Sequence, residues 1–468
     1  MSLGATRPSI VVVGGGMAGL VAAARAAELG SDVVLIDKGG FLGEGNTLTT
    51  SGAYYTAGLP PTSTPDELYS RVMSSGVAFP ETAQAWAENA GRALQWLESV
   101  GIQVDRTGEG PPRLESISSV SMAPVYKVDV GPNIVKKLRA YFHSRNGISV
   151  SKTKVVKLVV KHGDLAGVET VDSTGKKAVV PSKAVVLATG GFQANKELVK
   201  KHLGRHANDC KMMGSSAATG DGLKMAVDVG AKTVNLNYFY GRLVSQKALM
   251  DDRFWPYPTM GTLIEDGIVV DKSGRRFRDE GWGDVPLANL VARWEDVANV
   301  FLVFDETAWE RSKRDPESLV APNPWLVEKD GLVYKAESLS ELAGKLGVNG
   351  KNLETTVQGF NMAAGIRRLG ELAIPRINHP SPLKSPFYGV KLVPGIISTM
   401  GGPLVDKRMN VVGRKGNRIP GLFAAGDVVG GLTGGLNGGY VGGISQAAVT
   451  GLIAGESAHK FVTTRPLA

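Results

Sequence analysis

Ser9-Ile10-Val11-Val12-Val13-Gly14-Gly15-Gly16-Met17-Ala18-Gly19-Leu20, with Asp37 downstream, decides the fold. A run of β-branched residues leads into Gly14-x-Gly16-x-x-Gly19, and Ala-rich helical sequence follows from Leu20 to Leu29. Gly14 permits the tight turn, Gly16 lets the backbone approach a pyrophosphate, and Gly19 lets helix and strand pack closely. The helix N-terminus then offers free N–H groups to an anion. Val33-Val34-Leu35-Ile36 reads as a second strand ending in Asp37, whose carboxylate suits the two hydroxyls of a ribose and disfavours a 2′-phosphate. The stretch predicts a dinucleotide-binding α/β fold; the motif alone does not separate FAD from NAD.

With 468 residues, 43% of them hydrophobic, and 60 glycines, the chain has material for two or three compact α/β domains. A single thiol, Cys210, excludes an internal disulfide, a four-cysteine metal or iron–sulfur site and a CxxCH haem attachment. No metal site is expected, and electrons have to be exchanged with an external acceptor or donor. The net charge of +9 is spread along the chain, with a mild cluster at Lys196, Lys200, Lys201, Arg205 and Lys211 that reads as a solvated helix face, so no nucleic-acid partner is expected. No run approaches about 20 apolar residues and the first apolar run is the nucleotide-binding strand itself. A cytoplasmic protein without a transmembrane segment is the expectation.

Beyond Asp37, the small, hydroxyl-rich loop Gly43 to Ala53 can present N–H and O–H donors to a phosphate or a flavin edge. Helices are expected from Pro65 to Ser75, Glu81 to Val100 and Pro132 to Arg145, with Trp86, Ala93, Leu94 and Leu97 as core positions. Strands are expected from Ser149 to Val160, from Gly167 to Val171 and over Lys183 to Leu187, the last ending in Ala188-Thr189-Gly190-Gly191. Thr219-Gly220-Asp221-Gly222 opens a further helix. From Tyr238 to about Pro394 aromatic and proline residues thicken without a second nucleotide motif, which reads as an insertion. Small-residue turns then return, and a last helix runs from Ile444 to Lys460.

Gly14 to Gly19, Gly45-Asn46-Thr47, Ala188 to Phe192, Ala218 to Gly222, Gly274-Arg275-Arg276-Phe277-Arg278-Asp279-Glu280, Ser398 to Gly402 and Ala425-Gly426-Asp427 occur in this order. In these motifs the chain resembles the flavoprotein family of soluble fumarate reductases, succinate dehydrogenase flavoprotein subunits and 3-ketosteroid dehydrogenases, over nearly its whole length. The resemblance implies a Rossmann-type FAD-binding domain in two segments, 1–237 and 395–468, with an inserted α+β capping domain, 238–394, and substrate held at the flavin between them. The candidate FAD contacts are Gly14, Gly16, Met17, Ala18, Gly19, Asp37, Lys38, Gly45, Asn46, Thr47, Ser51, Gly52, Val155, Ala188, Thr189, Gly190, Thr219, Asp221, Gly426, Asp427, Ile444 and Ser445. Within that set the resemblance gives Asp37 the adenosine ribose, the Val155 backbone the adenine, Asp427 the ribityl or pyrophosphate region, and Ile444 and Ser445 the pyrimidine end. Some members attach FAD to a histidine; the matching position is Asn46, so non-covalent FAD is expected.

Departures from the family point to the substrate. Fumarate reductases grip two carboxylates with Arg and His and deliver a proton through an Arg fed by Glu and Arg. The relay positions fall at Met260 and Leu263, the proton-donating Arg at Asp284, the substrate His at Ser398, and Gly434 to Gly443 holds no arginine. A dicarboxylate buried there unpaired costs several kcal/mol. Ketosteroid dehydrogenases instead use a tyrosine and a backbone N–H four residues later to hold the substrate carbonyl, and Tyr440 with the N–H of Ile444 matches. Their base position corresponds to Asp284, which reads equally as a base of raised pKa or as an N-cap for the Val285-Pro286 helix start. Tyr238, Tyr240, Arg242, Trp255 and Ser398 are the candidate substrate contacts, with Arg242 the best cation for a carboxylate. The leading expectation is an FAD-dependent enzyme that desaturates or reduces the α,β bond of a small carbonyl compound, most simply a cyclic or 3-ketosteroid-like ketone. The alternatives are a carboxylate substrate of the fumarate, urocanate or tricarballylate kind, held by Arg242 or Arg253, and a flavin-binding protein without catalysis.

Overall fold

The computed structural model describes residues 8–40, 45–56, 60, 62–106, 111–115, 130–161, 163–251, 260–312 and 333–464, and these form two compact units of mixed α/β structure. The first comprises 1–198, 214–240 and 398–468; the second comprises 199–213 and 241–397. The sequence reading leaves 199–213 in the first piece. It joins the second because the Lys211–Met212 strand pairs in parallel with Gly395 and Ile396.

In the first unit six strands form one sheet, in the order Asn410–Val412, Arg418–Ala424, Ala184–Leu187, Ile10–Val13, Val33–Ile36 and Ile148–Val150. All neighbours are parallel except the first pair, and Val13 lies in register with Ile36 on one side and Leu187 on the other. The three central strands are fully buried, which is why they read as unbroken Val/Ile/Leu/Ala runs without alternation. Helix Met17–Glu28 begins three residues earlier than the Ala-rich run suggests, directly on Gly16. The last helix, Gly443–Thr464, packs on it at close range: a Cβ on Gly451 or Gly455 would stand 2.6 Å and 2.5 Å from the Ala18 and Ala22 carbonyls.

The helices expected at 65–75, 81–100 and 132–145 are Pro65–Met73, Pro80–Ser99 and Val130–Ser144. The first starts on a reciprocal Thr64–Glu67 capping box. Trp86, Ala93 and Leu97 are buried and Leu94 half-buried. The single strand expected over 149–160 is broken in two, Ile148–Val150 and Thr153–Lys161, because Lys152 takes a left-handed turn at φ 52° and bonds Gly39. Thr153–Lys161 leaves the parallel sheet and forms an antiparallel one with Asp164–Asp172 and Lys177–Pro181.

The second unit has strands Lys211–Met212, Phe387–Thr399, Val300–Asp305 and Ile268–Asp271 in that order, with Val333–Ala336 also on Phe387–Thr399. Helices Leu339–Leu346 and Gly350–Gly365, capped by Ser338 and Asn349, cover one face with Leu342, Leu346, Leu353, Val357 and Phe360.

Candidate active site

The Gly14 turn is built as its spacing demands. Gly14 has φ 107°, and a Cβ on it would stand 2.3 Å from the Ala188 carbonyl; a Cβ on Gly19 would stand 1.9 Å from the Gly14 carbonyl. Gly16 is different, since the nearest group to its Cβ is the Thr47 hydroxyl at 3.5 Å, which leaves this turn open toward a ligand. Around it the N–H groups at the helix start already face oxygens: Met17 N–H donates to Thr47 Oγ1 at 3.1 Å and Gly15 N–H to Asp37 Oδ2 at 2.6 Å. Asp37 Oδ1 accepts from Gly39 N–H at 2.8 Å, so the carboxylate is held by backbone with lone pairs remaining for ribose hydroxyls. Thr189 Oγ1 is buried with no partner among the described residues. An open glycine turn at a helix start, an oriented carboxylate and an orphaned hydroxyl at the strand ends are groups that fit a dinucleotide such as FAD.

Other candidates group elsewhere. Lys38 donates to Thr219 Oγ1 and Asp221 Oδ2, both at 2.7 Å, and Lys154 reaches Asp221 Oδ1 at 2.8 Å. Burial pushes the Asp221 carboxyl up, but the hydrogen bonds from Lys154 and Lys38 outweigh it and bring the pKa below the usual range. Gly52, at φ 81°, accommodates the Leu114 carbonyl, and Ser51 beside it is half-buried. Gly45 caps the short turn that carries Asn46 and Thr47. Val155 is buried in register with Thr170, just before an irregularity in the pairing. Gly426 lies against Ala18, its Cβ position 2.8 Å from the alanine methyl. Ser445 is fully buried and returns its hydroxyl to Val441 and to Gly442, the latter at 3.1 Å.

Asn46, Ser398 and Asp427, distant in sequence, form one group. Ser398 Oγ donates to Asp427 Oδ2 at 2.6 Å, Asn46 Nδ2 reaches the same oxygen at 3.4 Å, and Asn46 Oδ1 accepts from Ser215 N–H at 2.7 Å. Burial raises the Asp427 pKa above the usual carboxylate range against the pull of Ser398 and Asn46. Ser398, a candidate substrate contact by position, is thus engaged by Asp427.

Tyr440 stands at the start of the last helix. Its hydroxyl accepts the Gly443 N–H at 2.6 Å, and Ile444 is the next residue of the first helical turn, where no intrahelical carbonyl is in reach. The Tyr440 ring stacks on Tyr240 at 3.8 Å and 4°, and Tyr55 leans toward it at 6.3 Å and 34°. Tyr238 packs against Gly434. Tyr55 is the member that sequence reasoning misses; its position two residues after the hydroxyl-rich loop, close to the flavin candidates Ser51 and Gly52, is the available signal.

In the second unit Asp284 does not cap a helix. Gly283, with φ 83°, is the N-cap, and Asp284 is the first residue of helix Asp284–Val291, with no side-chain cap bond. Gly283 takes the cap because the Glu280–Trp282 turn ends in a conformation glycine tolerates. Asp284 is 3% exposed; Oδ1 is 3.4 Å from Arg242, and Oδ2 has no partner among the described residues. Burial drives its pKa above the usual range, with Arg242 pulling the other way. Arg242 also lies 3.6 Å from the Cβ position of Gly261. Met260 and Leu263, at the family's relay positions, are fully buried core residues.

Glu280 is fully buried and accepts from Arg276 at 2.6 Å, Arg376 at 3.1 Å and Val269 N–H at 3.0 Å. Arg376 also donates to the Gly267, Ile264 and Glu265 carbonyls, closing the end of helix Gly261–Asp266. Trp255 and Arg253 lie outside the described residues. Among the described residues no helix is long and apolar enough to cross a membrane.

Over residues 9–444 the chain matches the family described as FAD binding domain. It is 28% identical over 386 residues to an NADH:acrylate oxidoreductase of Vibrio harveyi, a match covering 79% of this chain and 36% of that protein. It is 30% identical over 351 residues to a 3-oxosteroid 1-dehydrogenase of Mycobacterium tuberculosis, covering 64% of this chain and 58% of that protein. The chain therefore spans less than two thirds of the length of either relative. A flavocytochrome c3 fumarate reductase in an open conformation superposes with a TM-score of 0.68 at 26% identity, over 98% of this chain and 79% of that one. The chain belongs to the FAD binding domain family, and FAD is its cofactor.

Proposed function

We propose that the chain carries an FAD-dependent oxidoreductase acting on a carbon–carbon bond next to a carbonyl, its substrate a largely apolar, cyclic or steroid-like ketone. The observation that carries this reading is Tyr440. A phenol that accepts an N–H from a helix start is polarised toward giving its own proton. Stacking on Tyr240 holds the ring in one orientation. Tyr440 and the Ile444 N–H are the two donors proposed for the substrate carbonyl, where they stabilise the oxyanion that develops as an α-proton leaves. No basic side chain occurs in Gly434 to Gly443, so this stretch suits a neutral acceptor better than a carboxylate. Asp284 is the proposed proton acceptor, because burial raises its basicity toward neutral pH. Bound FAD supplies the two-electron acceptor or donor, with an external partner completing the exchange. In this reading the parallel sheet is a Rossmann-type nucleotide layer of a two-segment FAD domain, and the insertion serves as the capping, substrate domain.

The test is anaerobic. Cyclic and steroidal ketones, then succinate and tricarballylate, are added to the holoprotein while the oxidised flavin band is followed. Bleaching by a ketone, slowed about 10²–10³-fold in Tyr440→Phe, is the expected result; a Tyr440→Phe variant that bleaches at the unaltered rate refutes the role. A second reading keeps a carboxylate substrate on Arg242. It is favoured by one observation: the Arg242 side chain is 35% exposed and only 3.4 Å from the buried Asp284, which puts a cation beside the proposed proton acceptor. Inhibition by small carboxylates that disappears in Arg242→Gln identifies that case.

A further inference from the structure

We propose that Gln193 is a hydrogen-bonding contact to the riboflavin half of bound FAD. Gln193 follows Ala188-Thr189-Gly190-Gly191-Phe192, the turn leaving the Ala184–Leu187 strand. That strand lies between Ile10–Val13 and Arg418–Ala424, with Leu187 in register with Val13 and Ala424, so three parallel strands end together. In open α/β sheets a ligand lies outside these carboxyl ends. Ile10–Val13, between Ala184–Leu187 and Val33–Ile36, leads into the glycine turn and helix start that suit a pyrophosphate. Val33–Ile36, on one side of it, ends in Asp37, the proposed ribose contact. The Ala188–Gln193 turn leaves from the other side, and a dinucleotide laid across the strand ends with its adenosine over Asp37 brings its riboflavin half there.

The turn carries the matching chemistry. Gln193 is 4% exposed, and neither Oε1 nor Nε2 has a partner among the described residues; nor does Thr189 Oγ1. Three of the eight buried side-chain polar atoms so left among the described residues fall within these five positions. The neighbouring groups are satisfied: Phe192 N–H donates to Thr399 Oγ1 at 3.0 Å, Ala194 N–H to Ala218 O at 3.0 Å, and Gly191 O accepts from Gly220 N–H at 3.1 Å. A buried carboxamide left without partners is strongly unfavourable, so the native state has to supply them. Riboflavin offers ribityl hydroxyls, ring carbonyls and a ring N–H, the donors and acceptors that a neutral amide complements.

The role has a signature that a purely structural glutamine lacks. Gln193→Met keeps the length of the side chain and removes the unmet polar atoms. Without ligand, the variant chain melts at the same or a higher temperature. With ligand, its Kd for FAD rises about tenfold, the loss of one net hydrogen bond, while its Kd for ADP, which has no riboflavin half, is unchanged. An unaltered Kd for FAD, or equal weakening toward FAD and ADP, overturns the proposal. The unsubstituted full chain gives an independent measurement: with ¹⁵N-labelled glutamine, the Gln193 side-chain resonance shifts on adding FAD and stays in place on adding ADP. A resonance that ignores FAD refutes the contact whatever the variant does.

Discussion

Replacing Asp284 by Asn separates the charge of this side chain from its shape. The carboxyl is 3% exposed, with a 3.4 Å contact from Arg242 on one oxygen and no partner among the described residues on the other. Burial, the largest influence, lifts its pKa above the usual carboxylate range, and Arg242 offsets this incompletely. Between the ordinary and the raised value the folded chain keeps a proton that the unfolded chain has lost. The native state then binds more protons, so this group's contribution to stability falls as pH rises through the window. Below the ordinary value nothing is lost; above the raised value the loss is complete, about 1.4 kcal/mol for every tenfold weakening of the acid on folding. Asn does not titrate. The melting temperature of Asp284→Asn relative to the unsubstituted protein is therefore expected to be nearly level at about pH 4 and to climb toward pH 8, by roughly 2–4 °C for each kcal/mol in a domain of this size. Scanning fluorimetry of the holoprotein across that range is the assay. A gap that does not change with pH refutes the raised pKa and with it the basis for Asp284 as a proton acceptor. If the acceptor role holds, turnover in the same variant drops about 10²–10⁴-fold.

Gly19→Ala places a methyl 1.9 Å from the Gly14 carbonyl, a backbone atom that cannot swing aside; a cost of about 2–3 kcal/mol and a purified protein with a clearly lower flavin-to-protein ratio are expected. Arg376→Met leaves Glu280 with Arg276 as its remaining cationic partner and removes the bonds from Arg376 to the Ile264 and Gly267 carbonyls, while Glu265 O keeps its bond from Asn378. Urea unfolding is expected to show a loss of about 3–5 kcal/mol, part of it recovered when Glu280→Gln is added. Because Asn46 is an amide occupied by Asp427 and Ser215, acid precipitation is expected to give a colourless pellet and a yellow supernatant; a pellet that stays yellow indicates a covalent flavin.

The parts of the molecule legible in the sequence are those whose cause is local. Gly14, Gly16, Gly19 and the Val/Ile strands declare themselves because turn sterics and two-sided burial act within a few residues. Lys152 does not, since a lysine at positive φ carries no turn signal of its own, and the strand it breaks reads as continuous. The Asn46–Asp427–Ser398 group joins residues up to 381 positions apart, a pairing that no local pattern encodes. Glu280 and Arg276 lie in one visible motif, but the Arg376 that completes their buried cluster comes 96 residues later. Asp284 shows the limit of local rules most plainly. Asp before Val-Pro is a good cap signal, and Gly283 takes the cap because its positive φ of 83° turns the chain one residue earlier.

The strand order also sets a timetable for biosynthesis. Arg418–Ala424, the outer neighbour of Ala184–Leu187, and the helix that covers Met17–Glu28 leave the ribosome only after all of 241–397 has been made. At about 5–20 residues per second the Ala184–Leu187 edge stands unpaired for roughly 10–50 s. It is an apolar strand with open backbone groups, the kind of edge that pairs with other chains. Nascent protein is most prone to aggregate in that interval, while the second unit can already fold. With Gly426 and Asp427 in its proposed site, the full set of proposed FAD contacts exists only after the second unit has been made.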